Sequence, residues 1–428
     1  MPKKILYVVL DGLSDLPLKE LNNKTPLEAA YTPHMDKLAQ SGVTGTAIPY
    51  LENTAPESDV AVFALLGYDP EKYYCGRGPL ESFAAGLNFE KGNLALRVNF
   101  ATLDNDGLKI VDRRAGRSLS NEEAQALSNE INSKITLSNA LFEFKATVGY
   151  RGVLVIRGIR SGLSGYITNT DPAYERKGLF SVPKPEFSDQ LLDASVQSGY
   201  ESSAEAVETA SLVNEFALKA RQVLKDSPIN KKRQAAGKLP ANLLLFRDAG
   251  DHLPDFVKFS SLYNLNFGCF VEMPVDRGIA LLTGMDIVDV PRSTGHLDVD
   301  YPVWAKIALD ALQKHDGIYV HIKSPDEPGH DGDCKKKKQI IEAIDKYFFP
   351  ALVAKLDMKN TIFALTADHS TSCQQKAHIA NCVPLLICGQ SLKPDGTMSF
   401  SEKTAALGSL GKIKSQEIMP LIVKLAQK

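Results

Sequence analysis

The sequence has no long apolar run and no surplus of charge of either sign. Nowhere do the roughly 18 to 20 apolar residues that a membrane-spanning helix needs follow one another. The run ILYVVL between Lys4 and Asp11 is also too short for the core of a signal peptide. The 49 Lys and Arg residues nearly balance the 51 Asp and Glu residues, and the formal net charge is -2. We therefore expect a cytoplasmic protein that binds neither membranes nor nucleic acids.

Cysteine is also scarce for a chain of this length. The six cysteines are scattered and form no CxxC pair, a pattern that fits neither a disulfide framework nor a zinc knuckle. We expect them to be reduced thiols. The 428 residues are enough for about two to three domains with large cores.

Short apolar runs bounded by turn residues recur along the chain and predict buried strands. They are KILYVVLDG at the start, GIYVHIKSPD from Gly317, TIFALTADHS from Thr361 and VPLLICG from Val383. A helix is predicted from Lys335 to Phe349, with a lysine-rich first turn that we expect to be solvated over Lys335 to Lys338. This alternation predicts an α/β fold with a doubly wound, mostly parallel sheet.

The middle of the chain has a different pattern, which predicts an inserted second domain. The segment LALRVNFATLDNDGLKIVDRR favours a β-hairpin that turns at Asn105 to Gly107. A helix is predicted from Ser203 to Lys225, with Ser202 and Glu205 spaced as a capping box. We expect residues 1–95 and 255–428 to form the α/β domain, and 96–254 to form an inserted α+β domain.

Three aspartates directly follow predicted buried strands. Asp11 follows ILYVVL, Asp326 lies just beyond IYVHI, and Asp368 follows IFALTA. Because the carboxyl ends of parallel strands share one edge of a sheet, these side chains should lie close together. The histidines His330, His369 and His378 accompany them, and carboxylate with imidazole is a ligand set for Zn, Mn or Fe. This is more donors than one four-coordinate ion needs, so two metal ions are expected.

The segment TAPESDVAVFALLGYDP offers a nucleophile. Pro56 can open a helix that runs to Gly67, which places Ser58 in the first turn. Exposed backbone N–H groups and the positive end of the helix dipole favour an alkoxide or a phosphoryl group there. On sequence alone a serine at this position is most simply a helix cap, but a metal ion can activate its hydroxyl.

Five ordered motifs carry a resemblance to a known family. They are LDG at Leu10, PESD at Pro56, DEPGHDGD at Asp326, TADHST at Thr366 and KAHIANCVPLL at Lys376. Together they resemble the 2,3-bisphosphoglycerate-independent phosphoglycerate mutases of archaeal type, in the alkaline phosphatase superfamily. The segments GYDPEKYYCGRGPLE, DRRAGR, GYRGVLVIRG and NLLLFRDAG also resemble that family, so the likeness runs along nearly the whole chain.

The resemblance implies an isomerase that interconverts 3-phosphoglycerate and 2-phosphoglycerate through a phosphoserine. It implies two divalent ions, with Mn or Mg favoured and Zn or Co as alternatives, and an inserted lid domain that closes over the substrate. One ion would be held by Asp11, Ser58, Asp368 and His369, and the other by Asp326, His330 and His378. Ser58 would be the phosphoryl acceptor.

Five arginines and one lysine are candidates for binding the substrate. DRRAGR contributes Arg113, Arg114 and Arg117, and Arg151 and Arg247 lie beside strand-like runs; each could hold the substrate's anionic groups or form a structural ion pair. Lys323 lies at the expected catalytic edge, where it should meet a phosphate or a carboxylate.

The sequence also departs from the family pattern and leaves alternatives open. Glu57 and Asp248 stand where glycine is usual, and Asn381 and Cys382 replace a common Asp-Pro pair. A metal-dependent phosphomonoesterase or a phosphotransferase to another small hydroxyl acceptor is therefore the alternative. A protein that binds metal without turnover would lack a ligand or the nucleophile, and none is missing here. The sequence does not indicate the oligomeric state.

Overall fold

A computed structural model of the chain describes residues 3–178, 180–184 and 186–427. The chain divides into two compact units, Met1–Tyr73 with Phe256–Lys428, and Tyr74–Asp255. The boundary expected at residue 95 falls inside Leu94–Leu103, which is one continuous buried strand of the second unit. That the second unit acts as a lid stays a prediction.

The first unit is built on an eight-stranded sheet. In chain order its strands are β1 Lys4–Leu10, β2 Gly42–Ile48, β3 Phe267–Val271, β4 Asp286–Asp289, β5 Gly317–Ile322, β6 Thr361–Thr366, β7 Val383–Cys388 and β8 Gly411–Lys414. They lie in the order β4, β3, β5, β1, β6, β7, β2, β8. Only β7 runs antiparallel to its neighbours within this sheet. The predicted α/β fold with a mostly parallel sheet is confirmed.

The three central strands of this sheet run in parallel and end together. Strand β1 lies between β5 and β6 and pairs with both in parallel, with Val9 opposite His321 on one side and Thr366 on the other. All three strands are buried, apart from Lys4 at the start of β1. Their carboxyl ends therefore lie side by side at one edge.

Helices surround the strands of the first unit, as expected for a doubly wound sheet. They are Pro26–Ala29, Pro33–Gln40, Ser58–Leu65, Pro70–Tyr73, Phe259–Tyr263, Pro274–Thr283, Leu297–Lys314, Asp326–Asp331, Cys334–Ala343, Phe349–Val353, Glu402–Ala405 and Ser415–Ala426. A short 3-10 helix spans Lys19–Leu21, a π-helical turn spans Ile344–Phe348, and a small hairpin joins Ser370–Ser372 to Ala377–Ile379.

The second unit is an antiparallel sheet with helices. Its strands are Leu94–Leu103, Ile110–Asp112, Ala140–Ala146, Arg151–Gly158 and Leu243–Gly250, and a separate hairpin pairs Tyr174–Lys177 with Phe180–Pro183. Its helices are Arg77–Ala84, Asn121–Lys134, Ala204–Asp226 and Pro228–Ala235, with a 3-10 turn at Ala115–Arg117. Leu94–Leu103 turns back antiparallel onto Ile110–Asp112, as the sequence predicts.

Two local predictions are wrong. The N-cap of the long helix is Ser203, whose side chain accepts a hydrogen bond from the Ala206 N–H, whereas the sequence favoured Ser202. The lysine run is not solvated throughout, because Lys337 is fully buried. Lys337 donates hydrogen bonds to the carbonyls of Ser14 and Thr371, and its ammonium lies 3.5 Å from the carboxylate of Asp15. In the described part of the chain no helix is both long and apolar enough to cross a membrane.

Candidate functional site

The three aspartates predicted from the sequence meet at the carboxyl edge of the central strands. Asp11 follows β1, Asp326 begins the helix after β5, and Asp368 lies two residues beyond β6. All three are buried. Burial of three carboxylates in one cluster is costly unless cations or hydrogen-bond donors compensate their charge. The arrangement therefore calls for positive charge at this edge.

The first predicted ligand group is assembled around His369. Its Nε2 lies 3.3 Å from Asp11 Oδ1, 3.2 Å from Asp368 Oδ2 and 3.1 Å from Ser58 Oγ. Ser58 is the first residue of the Ser58–Leu65 helix and is buried. Asp368 Oδ1 accepts 2.9 Å hydrogen bonds from the N–H groups of Gly12 and His369, which turns Oδ2 toward the other donors. The structure thus brings the four predicted residues together.

The second predicted ligand group is Asp326, His330 and His378. His330 Nε2 lies 3.4 Å from Asp326 Oδ2, and His378 Nε2 lies 3.6 Å from Asp326 Oδ1. The two imidazole Nε2 atoms are only 3.1 Å apart. Ligand atoms around one metal ion lie at similar distances from one another. The three side chains therefore form a group that could hold one ion.

Hydrogen bonds at Nδ1 fix the orientation of all three predicted histidine ligands. His330 Nδ1 donates to the carbonyl of Lys376 at 3.2 Å, and His378 Nδ1 donates to the carbonyl of Pro56 at 2.8 Å. His369 Nδ1 donates to Thr371 Oγ1 at 3.1 Å, because that hydroxyl itself donates to Asp326. In the neutral ring a protonated Nδ1 leaves the lone pair on Nε2, which is the tautomer that a metal ion requires.

The cluster shifts the pKa values of its members in opposite directions. Burial and the Asp368 carboxylate raise the pKa of Asp11 well above its usual value. Burial would also raise the pKa of Asp326, but the ammonium of Lys323 lowers it well below the usual value. Burial lowers the pKa of His369, which favours a neutral imidazole. Strongly shifted groups in one cluster are typical of functional sites.

Lys323 joins the two predicted ligand groups. Its Nζ donates 2.7 Å hydrogen bonds to Asp11 Oδ2 and to Asp326 Oδ2. Burial would lower the pKa of Lys323, but these carboxylates raise it above the usual range, so the side chain is a fixed cation. Its backbone N–H donates to Glu272, which follows β3 and which the sequence reasoning missed.

Close packing explains the glycine of the LDG motif. Gly12 has a φ of 58°, and a Cβ there would lie 2.5 Å from Thr371 Oγ1 and 2.6 Å from Asp326 Oδ1. A side chain at position 12 would therefore displace a predicted ligand. Glycine is required by the left-handed backbone and by this approach together.

The sequence reasoning also missed two buried residues behind the cluster, His321 and Asp276. His321 lies in β5 and is 2 % exposed, and its Nδ1 lies 3.2 Å from Asp276 Oδ1. A histidine inside the otherwise apolar strand GIYVHI was the available signal. Asp276 had none, because an aspartate in the first turn of a helix is common.

In the second unit, two of the five predicted arginines converge on a buried carboxylate. Arg113 makes a forked contact to Asp171, with distances of 2.6 and 2.8 Å. Arg247 Nε lies 3.8 Å from the same carboxylate, and its guanidinium lies 3.8 Å from the centre of the Tyr174 ring. Burial would raise the pKa of Asp171, but the two arginines lower it.

Two further predicted arginines lie around Tyr150. Burial would raise the pKa of this phenol, but Arg151, Arg114 and Arg97 lower it. Arg117 is exposed and has a φ of 52°. The sequence reasoning missed four buried arginines of this unit, and they are Arg77, Arg97, Arg176 and Arg233. Burial and the charge of Arg77 lower the pKa of Arg97 to about 10, a sign of crowded positive charge.

Asp248, one of the departures from the family pattern, lies among these arginines. Its φ is 57°, a left-handed conformation that suits glycine better than aspartate. Burial would raise the pKa of Asp248, but Arg247 and Arg97 lower it. The carboxylate thus offsets part of the positive charge that the arginines bring together.

Together these features define a class, an α/β protein with buried carboxylates, histidines and a helix-start serine that could hold metal ions at one edge of a mostly parallel sheet. A family model described as 2,3-bisphosphoglycerate-independent phosphoglycerate mutase matches residues 39–230. A mutase of that name from Aeropyrum pernix is 41% identical over 422 residues, with 96% of each chain covered. Another from Methanopyrus kandleri is 39% identical and covers 100% of this chain and 97% of its own. The chain belongs to the 2,3-bisphosphoglycerate-independent phosphoglycerate mutase family.

Solved structures agree with this assignment. A protein from Pyrococcus horikoshii superposes with a TM-score of 0.79 at 31% identity, covering 100% of this chain and 98% of its own. The cofactor-independent phosphoglycerate mutase from Thermoplasma acidophilum gives a TM-score of 0.61 at 31% identity, covering 99% and 100%. The likeness extends over both units of the chain.

Proposed function

We propose that this protein is an isomerase that interconverts 3-phosphoglycerate and 2-phosphoglycerate without 2,3-bisphosphoglycerate. The observation that carries the proposal is the position of Ser58, whose Oγ lies 3.1 Å from His369 Nε2, beside the buried carboxylates of Asp11 and Asp368. A serine held in this way has the surroundings of a phosphoryl acceptor. As a member of a phosphoglycerate mutase family, the chain would act in glycolysis and gluconeogenesis in the cytoplasm.

The donor set fits two divalent metal ions. Asp11, Ser58, Asp368 and His369 would hold one ion, and Asp326, His330 and His378 the other. Two buried oxygen atoms support the presence of a metal ion. Asp11 Oδ1 and Asp368 Oδ2 make no hydrogen bond among the described residues, and a cation would satisfy them. Oxygen and imidazole donors suit Mn or Mg, and also Zn or Co. When bound, the ions would lower the pKa of the serine hydroxyl and stabilise charge on the transferring phosphoryl group.

Ser58 would carry the phosphoryl group between two positions of the same glycerate. In the first transfer Ser58 Oγ forms a bond to phosphorus, the bond from phosphorus to the substrate oxygen breaks, and that oxygen gains the proton that the serine loses. In the second transfer the neighbouring hydroxyl oxygen of the same glycerate forms a bond to phosphorus, the bond from phosphorus to Ser58 Oγ breaks, and Oγ gains the proton that this hydroxyl loses. The backbone N–H groups of the first helical turn would stabilise the phosphoserine.

The remaining predicted residues would bind and orient the substrate. Lys323 would neutralise charge on the phosphoryl group, since its ammonium already lies between two predicted metal ligands. Arg113, Arg114, Arg117, Arg151 and Arg247 would hold the carboxylate and the phosphate in forked contacts. Holding the glycerate while Ser58 is phosphorylated is what separates a mutase from a phosphatase.

The proposal is tested by following both products of one reaction. Protein stripped with EDTA is supplied with 3-phosphoglycerate, with and without Mn, in the absence of 2,3-bisphosphoglycerate. We expect 2-phosphoglycerate to form only with metal, and free phosphate not to accumulate.

The alternatives in the same chemical class give other results. Release of phosphate without isomerisation would replace the mutase assignment with a phosphomonoesterase. No reaction with or without metal would point to another hydroxyl acceptor, and Glu57 and Asp248 would then be the first residues to test.

A further inference from the structure

His321 lies directly behind the first predicted ligand group. Its Nε2 is 3.5 Å from Asp11 Oδ2 and 3.6 Å from Asp368 Oδ2. The side chain is 2 % exposed, so this nitrogen does not face bulk solvent. His321, Asp11 and Asp368 are also a group whose donor atoms lie close enough together to hold one ion.

Three buried polar atoms in this small space have no hydrogen-bond partner. They are His321 Nε2, Asp11 Oδ1 and Asp368 Oδ2, as judged over all residues that the structure describes. Leaving one buried polar atom unpaired costs about 1 to 3 kcal/mol, and charged atoms cost more. These atoms belong to three neighbouring side chains, and a cation bound among them would satisfy all three. A cation can accept electron pairs from all three at once.

The hydrogen bond at the other ring nitrogen orients His321 like the three predicted histidine ligands. Its Nδ1 lies 3.2 Å from Asp276 Oδ1, and a carboxylate oxygen at this position takes the Nδ1 proton. Nε2 then faces two carboxylate oxygens, and this arrangement needs a positive charge between them. In the metal-free protein a proton on Nε2 supplies it: burial would lower the pKa of His321, but Asp276, Asp368 and Asp11 raise it well above its usual value. A metal ion would take the place of that proton and bind the Nε2 lone pair. In many metal sites one ring nitrogen of a histidine binds the metal and the other donates its proton to a carboxylate in this way.

We propose that His321 is a further ligand of the ion that Asp11 and Asp368 hold, and that Asp276 is the positioning residue that orients its ring. This inference rests on the proposed function only for the existence of that ion. The distances agree with it, since neighbouring donors around one ion with bonds of about 2.1 Å are roughly 3 to 3.6 Å apart. His369 Nε2 meets the same two carboxylates at 3.3 and 3.2 Å.

The direct test counts the histidines bound to metal in the unchanged protein. The full chain is stripped, loaded with Co(II) and studied by proton NMR, where each cobalt-bound imidazole gives one strongly shifted N–H signal. We expect four such signals, from His321, His330, His369 and His378. Three signals or fewer would overturn the proposal. This count needs no variant to fold.

Variants then assign the fourth signal. His321→Gln should remove it and weaken the binding of one of the two ions by at least 10-fold, measured calorimetrically with Mn. Asp276→Asn keeps the size of the side chain but loses the carboxylate, and should weaken the same ion about 10- to 100-fold. The matched control is His34→Gln, because His34 Nδ1 lies 2.9 Å from a buried carboxylate, Asp345 Oδ2, outside the cluster. That variant should keep four signals and both affinities.

One more variant separates this inference from the proposed function. Asp368→Asn removes a carboxylate on which the ion itself depends. If Asp368→Asn loses an ion while His321→Gln binds both ions as tightly as the unchanged protein, His321 is not a ligand and the proposed function stands. If Asp368→Asn changes nothing, the metal centre is wrong and both proposals fall.

Discussion

Ser58 Oγ and His369 Nε2 lie 3.1 Å apart, although the two residues are 311 positions apart in the sequence. The serine is the first residue of a helix, and the histidine follows a central strand by three residues. Since Nδ1 of His369 is engaged by Thr371, its Nε2 is free to face the serine and the two carboxylates. A hydroxyl in this position can be a metal ligand and a nucleophile at once.

Replacing Ser58 by alanine should abolish turnover and largely keep metal binding. The acceptor oxygen is lost, so we expect the isomerisation rate to fall by roughly 10³-fold or more. The three charged or imidazole ligands predicted for the same ion are unchanged, and a neutral hydroxyl is a weaker ligand than these, so the affinity should fall by less than about 10-fold. The two effects are measured by a coupled mutase assay and by titration with Mn.

Ser203→Ala is the control for this change, because Ser203 also lies at a helix start and caps the helix through its side chain. Loss of that cap should cost about 1 kcal/mol of stability and leave the rate unchanged. A Ser58→Ala protein that turns over normally would exclude Ser58 from the reaction.

Much of the site could be predicted because its residues follow strongly patterned segments. The buried runs before Asp11, Asp326 and Asp368 identify three strands, and the rule for parallel sheets places their ends together. β7 shows the limit of this reasoning. Its apolar sequence resembles those of the other strands, but it runs antiparallel, and a buried run carries no information on strand direction.

The residues that were missed depend on contacts between distant segments. Asp276 and His321 are 45 positions apart and meet only because a helix start packs against β5. Lys337 looks like one of four solvated lysines, yet it is the one that turns inward to two backbone carbonyls. Propensity and periodicity describe local structure, and they do not reveal which polar side chain will find a buried partner.

Metal affinity should rise steeply with pH because of His330. Burial would lower its pKa, but Asp326 raises it to about 9 in the metal-free protein. A metal ion needs the bare Nε2 and must displace a proton below pH 9. Affinity should therefore fall by up to about tenfold for each pH unit below 9. Calorimetry in buffers of different ionisation enthalpy measures the protons released, and affinity that stays constant from pH 6 to 9 would contradict histidine ligation at this position.

Asp248→Asn should strengthen the binding of anionic substrate. The carboxylate of Asp248 offsets the charges of Arg247, Arg97 and Arg176, and the amide keeps its size without its charge. We expect KM for phosphoglycerate to fall roughly 2- to 10-fold with a smaller change in kcat. Asp248→Gly should act in the same direction and also relieve the left-handed backbone.

Asn264→Gly is the control for the backbone effect, because Asn264 has a φ of 53° and is exposed in the first unit. It should leave KM unchanged. A rise of KM in Asp248→Asn would mean that the carboxylate orients the arginines for substrate rather than competing with it.

Lys337→Met should destabilise the first unit strongly. The ammonium of Lys337 is fully buried, donates hydrogen bonds of 3.0 Å to Ser14 O and 2.6 Å to Thr371 O, and lies 3.5 Å from Asp15 Oδ2. Removing one partner of a buried ion pair leaves the other charge uncompensated and costs about 3 to 5 kcal/mol. Urea denaturation of the metal-free protein measures this loss, and Lys336→Met, at an exposed position of the same run, should change stability by less than about 0.5 kcal/mol. Thr371 also accepts a hydrogen bond from His369, a predicted metal ligand, so Lys337→Met should weaken metal binding as well. Equal stability of the two variants would show that Lys337 is not a fixed part of the core.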